Sequence, residues 1–485
     1  MAKPESGCPA LTRLANGITM TLASGVALSR PVIGVAITME ANSARGKEVY
    51  DLDRAHVFHS WSAQGALNPM LIQGGEGSYV WDYDGNRYLD FSSQLVNVNI
   101  GHQHPKVVKA IQDQAGKLTT IAPQHANDMR GEAAKRISDL APDHMNKVFF
   151  TNGGADAVEN AIRMARLHTG KQKVLSFYRS YHGNTGSAIN ATGDPRRWPN
   201  ENSSGHVHFF GPHLYRTSFW SETQEQETER ALTHLADVIK YEGAATIGSI
   251  IIETVVGTAG VLIPPPGYLE GVRKLCDDNG IMLILDEVMA GFGRTGEWFA
   301  FDAFDVKPDL FVFAKGSNSG YVPVGGVVIS DDIAATFNDR VFPGGLTYSG
   351  HPLAAASIVA TIDVMKEEKI VENAKHIGET VLGPGLKDLA DRHKIIGEAR
   401  GKGVFWALDL VKDRDTKEMI APYGGTSPAM ADLVATCKKH GLMPFTNYNR
   451  LHVVPPCNVT ETEAKEGLAI LDEVFASLGK YYEGK

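Results

Sequence analysis

Cysteine is scarce in this chain. The four present (Cys8, Cys276, Cys437, Cys457) lie far apart and form no C-x-x-C pair. That excludes a disulfide framework and a zinc-finger spacing, and it suits a reducing, cytoplasmic setting. An excess of positive charge is also lacking. The 47 Lys+Arg against 56 Asp+Glu give a net charge of −9, which leaves no basic face for a nucleic acid. No uninterrupted apolar run long enough for a membrane is present. The nearest candidate, Ile18 to Ile37, is broken by Arg30 and Pro31, whereas a spanning helix needs about 20 mostly apolar residues. The same stretch has no signal-peptide layout. Repeats and low-complexity segments are absent.

What is present is a large apolar fraction, 43% of 485 residues, and 50 glycines, many beside short apolar runs. Residues 1–45 read as a weakly structured extension, with the folded chain expected to begin at Met39. A segment at 46–100 follows, in which Tyr79–Phe91 alternates around an Asp84-Gly85-Asn86 turn and signals a hairpin. Pro105 opens a helix. From 101 to 345 helices alternate with apolar runs at 147–151, 173–178, 247–253, 281–287, 309–315 and 325–330. Several runs are apolar throughout, as expected of strands covered on both faces. This predicts a large α/β domain with a mostly parallel sheet. Residues 346–485 read as a smaller α+β domain, with helices at 354–366 and 370–393 and strands at 403–411 and 450–456. The early hairpin is expected to pack with it.

Ligands of open α/β sheets bind beyond the carboxyl ends of the strands, so the polar residues there carry the candidate chemistry. Asp286 ends the apolar run "IMLIL". A carboxylate so placed needs a cation or strong donors, and a helix cap or structural ion pair is the plainer explanation. Lys315 ends "DLFVFA". It either snorkels outward or is held with a lowered pKa for imine chemistry. Asn152-Gly153-Gly154-Ala155 stands between an apolar run and a long helix, where backbone N–H groups can meet an anion. This turn has no P-loop lysine and no dinucleotide glycine pattern. Tyr181-His182-Gly183 follows "KVLSFYRS", where an aromatic ring either stacks on a flat ligand or covers core. Together the four supply what pyridoxal 5′-phosphate requires: an amine, a carboxylate for the ring nitrogen, an anion cradle and an aromatic face.

From about Trp61 to Phe475 the chain resembles the class III pyridoxal-phosphate aminotransferases, or ω-aminotransferases. The motifs, in order, are "FFTNGGADAVENAIRMAR", "SYHG", "LILDEVMAGFGRTG", "FAKG" and "GLTYSGHPLAAA". The resemblance implies fold type I and a homodimer, with pairing into tetramers left open. It implies that Lys315 forms the Schiff base and shuttles the proton, and that Asp286 pairs with the ring nitrogen. It places Val288 and Tyr181 on the two ring faces and His182 and Glu253 in the same cofactor site. The backbone amides of Gly154 and Ala155 would hold the phosphate, with Thr347 of a second subunit. Three positions depart from the family pattern: Ala155 for the usual serine, Met289 for a frequent glutamine, and Thr258 where ornithine and GABA aminotransferases carry a gating glutamate.

The function implied is transfer of an amino group from an ω-amino acid or amine (taurine, β-alanine or similar) to pyruvate or 2-oxoglutarate by a ping-pong mechanism. The alternative is another enzyme of the same fold, an aminomutase, epimerase or decarboxylating transaminase. Arg400, in "EARGKGVF", is the candidate partner of the acceptor carboxylate, or else an arginine that holds the small domain. Phe58, Trp61 and Val96 are candidate lining residues of the donor pocket, and Phe445 falls where many relatives have a mobile arginine. Metal is not expected: His102/His104 and His206/His208 have no third ligand at a suitable spacing. Neither a nucleic acid nor a membrane is expected as a partner.

Overall fold

Asp82 organises the first hairpin. Its carboxylate accepts the N–H groups of Asp84 and Asn86, at 3.0 and 2.8 Å, and Gly85 takes the positive φ that the turn requires. The computed structural model describes residues 42–200 and 204–485. The expected start at Met39 lies outside them, as does most of the 1–45 extension. Residues 43–45 are helical rather than loose. Asn42 caps the helix Ser43–His56 by accepting from the Arg45 N–H. Strands β1 (Ile72–Glu76), β2 (Tyr79–Asp82) and β3 (Arg87–Asp90) then run antiparallel.

The central sheet comprises β4 (Lys147–Thr151), β5 (Lys173–Phe177), β6 (His206–Phe209), β7 (Ile247–Glu253), β8 (Met282–Asp286), β9 (Leu310–Phe313) and β10 (Gly325–Ile329). Its order is β4-β10-β9-β8-β7-β5-β6. All pairs are parallel except those of β10, which is antiparallel to β9 and β4. Strands β7, β9 and β10 are buried end to end, the reason their sequences are apolar without alternation. The helix Gly154–Thr169 lays Ala157, Ala161 and Ala165 on one face of the sheet, against Ile251, Ile284 and Val312. These small side chains bring its backbone close to the strand ends. Two sequence boundaries shift. The run expected to reach residue 315 leaves the sheet after Phe313, because Ala314 and Lys315 turn away, Lys315 with φ 40. The helix expected over 370–393 contains a wide turn at Gly378–Leu382. It lies where the backbone passes Gly403 so closely that a Cβ on Gly378 would stand 2.1 Å from its carbonyl oxygen.

The remaining strands are β11 (Ile396–Lys402), β12 (Phe405–Asp413), β13 (Glu418–Met419), β14 (Leu442–Met443), β15 (Phe445–Asn447) and β16 (Arg450–Val453). They form a second sheet, β11-β12-β16-β15, with β13 on β12, while β14 joins β3 in parallel. Alternation gives the second sheet two unlike faces. Trp406, Leu408, Leu410, Leu451 and Val453 make the apolar one. On the other, Glu398, Asp409 and Arg450 are cross-strand neighbours, as are Arg400, Ala407 and His452.

Arg294 ties three distant segments together. It is 0% exposed. Its guanidinium donates to Asn99 Oδ1 (2.7 Å), Ser93 Oγ (3.3 Å) and the Pro455 carbonyl, and no carboxylate pairs with it among the described residues. No helix of the described residues is long and apolar enough to cross a membrane.

Candidate active site

Strands β7, β8 and β9 end side by side, so the residues at their carboxyl ends share one rim. Glu253 and Asp286 are register partners there. Asp286 is buried. Its Oδ1 accepts the Val288 N–H at 3.0 Å, and its Oδ2 accepts from His182 Nδ1 at 2.7 Å. A carboxylate acceptor sets the His182 tautomer, with the proton on Nδ1. Glu253 accepts the N–H of Tyr181 (3.0 Å) on one oxygen and that of Gly257 (2.7 Å) on the other. It thereby clamps the Tyr181 segment to the 257–261 turn. Burial pushes Glu253 up to about 7; Asp286 adds to the rise and His182 opposes it.

Lys315 stands on the turn just after β9. Burial lowers its ammonium to about 8, against the opposing pull of Asp286 and Glu253, and the positive charges of Arg196 and Arg294 add to the lowering. An amine so placed is a nucleophile near neutral pH.

The helix Gly154–Thr169 opens beside this rim, and among the described residues no side chain caps its first turn. Its leading N–H groups are therefore left for an anion. Two close approaches hold the turns together. A Cβ on Gly154 would stand 3.1 Å from both Val288 methyls. Gly183, at φ +130, lies where a Cβ would stand 2.5 Å from that of Ala155. Ala155 thus occupies, with a methyl against Gly183, the place where a hydroxyl was expected from the family pattern. The other two departures meet each other: the Thr258 hydroxyl lies 3.5 Å from Met289 Sδ.

An unforeseen residue stands at the Tyr181 ring. The guanidinium of Arg196 lies 3.5 Å from the ring centroid. Asp194 takes its Nε and Nη2 edge, and among the described residues nothing pairs with Nη1. The "DPRRW" loop that carries it has no motif or periodicity to single it out.

The structure distributes the other candidates less closely. Phe58 and Trp61 are 86% and 65% exposed. Val96 is wholly buried with Val255, Val261, Ala290, Phe405 and Val454, so it backs the site rather than lining it. Phe445 packs its ring on His452, with centroids 4.6 Å apart. Thr347 lies on an exposed turn. Arg400 is nine-tenths buried and already ion-paired with Glu398; its Nε donates to the Gly260 carbonyl at 2.6 Å. His102 and His104 are occupied by Asp90 and Glu368. Among the described residues no group of three or more His, Cys, Asp or Glu could hold a metal ion.

The donor set matches pyridoxal 5′-phosphate in its chemistry. It offers a recessed amine, a buried carboxylate with a fixed donor behind it, an uncapped helix start, and a methyl-bearing and an aromatic side chain. Comparison with known proteins agrees. Residues 61–475 match the model of the family described as aminotransferase class III. The chain is 33% identical over 425 residues to a 5-aminovalerate aminotransferase of Pseudomonas aeruginosa, covering 85% of this chain and 95% of that protein. It is 35% identical over 464 residues to a putrescine–pyruvate aminotransferase of the same organism, covering 90% and 99%. Among solved structures, the taurine:2-oxoglutarate aminotransferase from Bifidobacterium kashiwanohense, in complex with PLP and glutamate, superposes with a TM-score of 0.87 at 43% identity, over 90% of this chain and 99% of that one. An (S)-enantioselective omega-transaminase from Thermomicrobium roseum gives 0.84 at 34%, over 89% and 98%. The fold is that of these fold type I transaminases, and the chain belongs to the class III aminotransferase family.

Proposed function

We propose that this aminotransferase takes its amino group from an ω-amino acid with an acidic far end, of the taurine or β-alanine type, and passes it to a 2-oxo acid in two successive half-reactions. The observation that carries this reading is Arg196: a cation whose Nη1 has no partner among the described residues, lying on the Tyr181 ring and close enough to Lys315 to act on its charge. An amine donor reaches that lysine with its far end beside the guanidinium, and a sulfonate or carboxylate is the bidentate match. Similarity to a taurine:2-oxoglutarate aminotransferase supports the same class.

The family's cofactor, pyridoxal 5′-phosphate, supplies an electron sink when bound. This chain's residues supply the rest. Lys315 Nζ would hold the cofactor's aldehyde carbon and would carry the proton moved at its own nitrogen. Asp286, oriented by the His182 N–H, would pair with the ring nitrogen. Val288 and Tyr181 would enclose the ring, the amides of Gly154 and Ala155 would meet the phosphate, and Glu253 keeps the Tyr181 segment in place. Arg400 binds a carboxylate of the acceptor. Phe58, Trp61 and Phe445 shape the donor entrance, with Val96 packed behind. A second copy of the chain contributes Thr347, which makes the working unit a homodimer.

A donor panel of taurine, β-alanine, GABA, putrescine and 1-phenylethylamine tests the reading. The acidic donors are expected to lead putrescine and 1-phenylethylamine by at least about tenfold in kcat/KM, equivalent to about 1.4 kcal/mol. Arg196→Met should remove that lead. A wild-type preference for putrescine or 1-phenylethylamine would discard the proposal.

A further inference from the structure

The charged face of the second sheet is closed by the 257–261 turn. Arg400 donates to the Gly260 carbonyl, Arg450 to that of Ala259, and His452 Nε2 lies 3.1 Å from that of Gly257. Two further arginines reach the same place from the other side, Arg179 from the segment that carries Tyr181 and Arg216 from the turn after β6. The cluster contains four guanidiniums and two carboxylates. Glu398 pairs with Arg400, and Asp409 pairs with Arg216 at 2.5 Å. The histidines add no charge at neutral pH, because burial holds His213 down to about 4 and His452 to about 3. Glu227, behind the 213–217 turn, has its oxygens taken by the His213 N–H and the Thr217 hydroxyl.

Arg179 and Arg450 therefore have no ion pair among the described residues. Arg179 Nη1 lies 3.4 Å from Nδ1 of the neutral His213. Its backbone carries φ +66, a conformation that costs a non-glycine residue energy and persists where the surroundings enforce it. Arg450 is 6% exposed. Arg400 keeps Nη2 buried with no hydrogen-bond partner among the described residues, and Asp409 is no nearer to it than 3.8 Å. Gly260 keeps that nitrogen clear, since a Cβ there would stand 2.5 Å from it. Tyr423 and Tyr448, with centroids 5.3 Å apart, stand beside the cluster, with Arg450 against the Tyr448 ring. Two largely buried guanidiniums without an ion pair and an orphaned donor are costly. A dianion removes both costs.

We propose that the acceptor is a 2-oxo dicarboxylate, and that Arg179 is the specificity residue that holds its second carboxylate beside Arg400 and Arg450. This rests on the transamination reading above and adds a choice that reading leaves open, between dicarboxylate and monocarboxylate acceptors. Charge-assisted hydrogen bonds to a carboxylate are stronger than neutral ones, so one additional well-held carboxylate separates the two acceptor classes by about tenfold or more.

The test uses the holoenzyme. The wild-type kcat/KM for 2-oxoglutarate should exceed that for pyruvate at least about 30-fold. Arg179→Met should lower this ratio at least about tenfold, and Arg179→Lys should restore part of it. A cluster that merely joins the two sheets would lower both acceptors alike and leave the ratio in place. Calorimetric titration with glutarate and with butyrate, neither of which reacts, measures the site directly. Glutarate should bind at least about tenfold more tightly, with the difference lost in Arg179→Met. A preference for pyruvate, an unchanged ratio in Arg179→Met, or equal binding of glutarate and butyrate would overturn the proposal. The donor half-reaction, read as carbonyl product released with no 2-oxo acid present, tests the transamination reading separately. The glutarate titration decides the anion site whatever that result.

Discussion

At the scale of single residues, Lys315 is the group whose behaviour depends most on its surroundings. Burial disfavours its ammonium, so the folded chain releases that proton near pH 8 where the ordinary value is 10.5. The cost this group imposes on folding therefore fades as pH rises from about 8 through the unfolded value. In the cofactor-free protein, competitive acetylation followed by peptide mass analysis should give Lys315 a reactivity midpoint near 8, with exposed lysines near the ordinary 10.4. A Lys315 midpoint among the others would show that the amine is not desolvated. Asp286 and Lys315 could be singled out in the sequence because each ends an apolar run, and a charge there is expensive unless it is used. Arg196 and Arg179 could not. Both lie on connections after β5, and what places them is the path of residues 178–198 over the sheet. That path depends on the Glu253 clamp and on Gly183, whose contacts with Tyr181, Gly257 and Ala155 are made across the fold.

Among the elements, the turns between strand and helix control the site more than the strands do. Gly183 has a positive φ and no room for a Cβ next to Ala155. Gly183→Ala is therefore expected to lower stability by about 1–3 kcal/mol through strain and overpacking, and to displace the start of the helix Gly154–Thr169. Equilibrium dialysis of cofactor should show weakened affinity together with a lowered thermal midpoint. Unchanged cofactor affinity would mean that the helix start does not receive the phosphate. Strands β7 to β10 were legible because parallel strands covered on both faces must be apolar. The short β6, "HVHF", was not. It has two histidines in four residues, and its pairing with β5 rather than its own composition makes it a strand. The wide turn at Gly378–Leu382 was hidden for a similar reason, since the Gly403 backbone that passes it is distant in sequence.

On the scale of the whole molecule, the exposed side chains are informative. Phe58, Trp61, Val341 and Tyr348 are 86%, 65%, 87% and 59% exposed, large side chains whose apolar area stands in water. The proposed homodimer would cover part of it. Sedimentation at micromolar concentration should give twice the 52.5 kDa chain mass, and Trp61→Glu should shift the protein toward the single chain. A monomeric wild type with full activity would remove Thr347 from the site. Arg294 has a consequence of another kind. Its acceptors come from residues 93 and 99 and from residue 455, so its guanidinium cannot be sealed away until nearly all of the polypeptide has been synthesised. A nascent chain still held in the ribosome tunnel lacks the last acceptor, and burying the charge without it is costly. A chain that ends before residue 455 lacks one of the three acceptors of Arg294, and limited proteolysis is expected to digest it faster than the full chain.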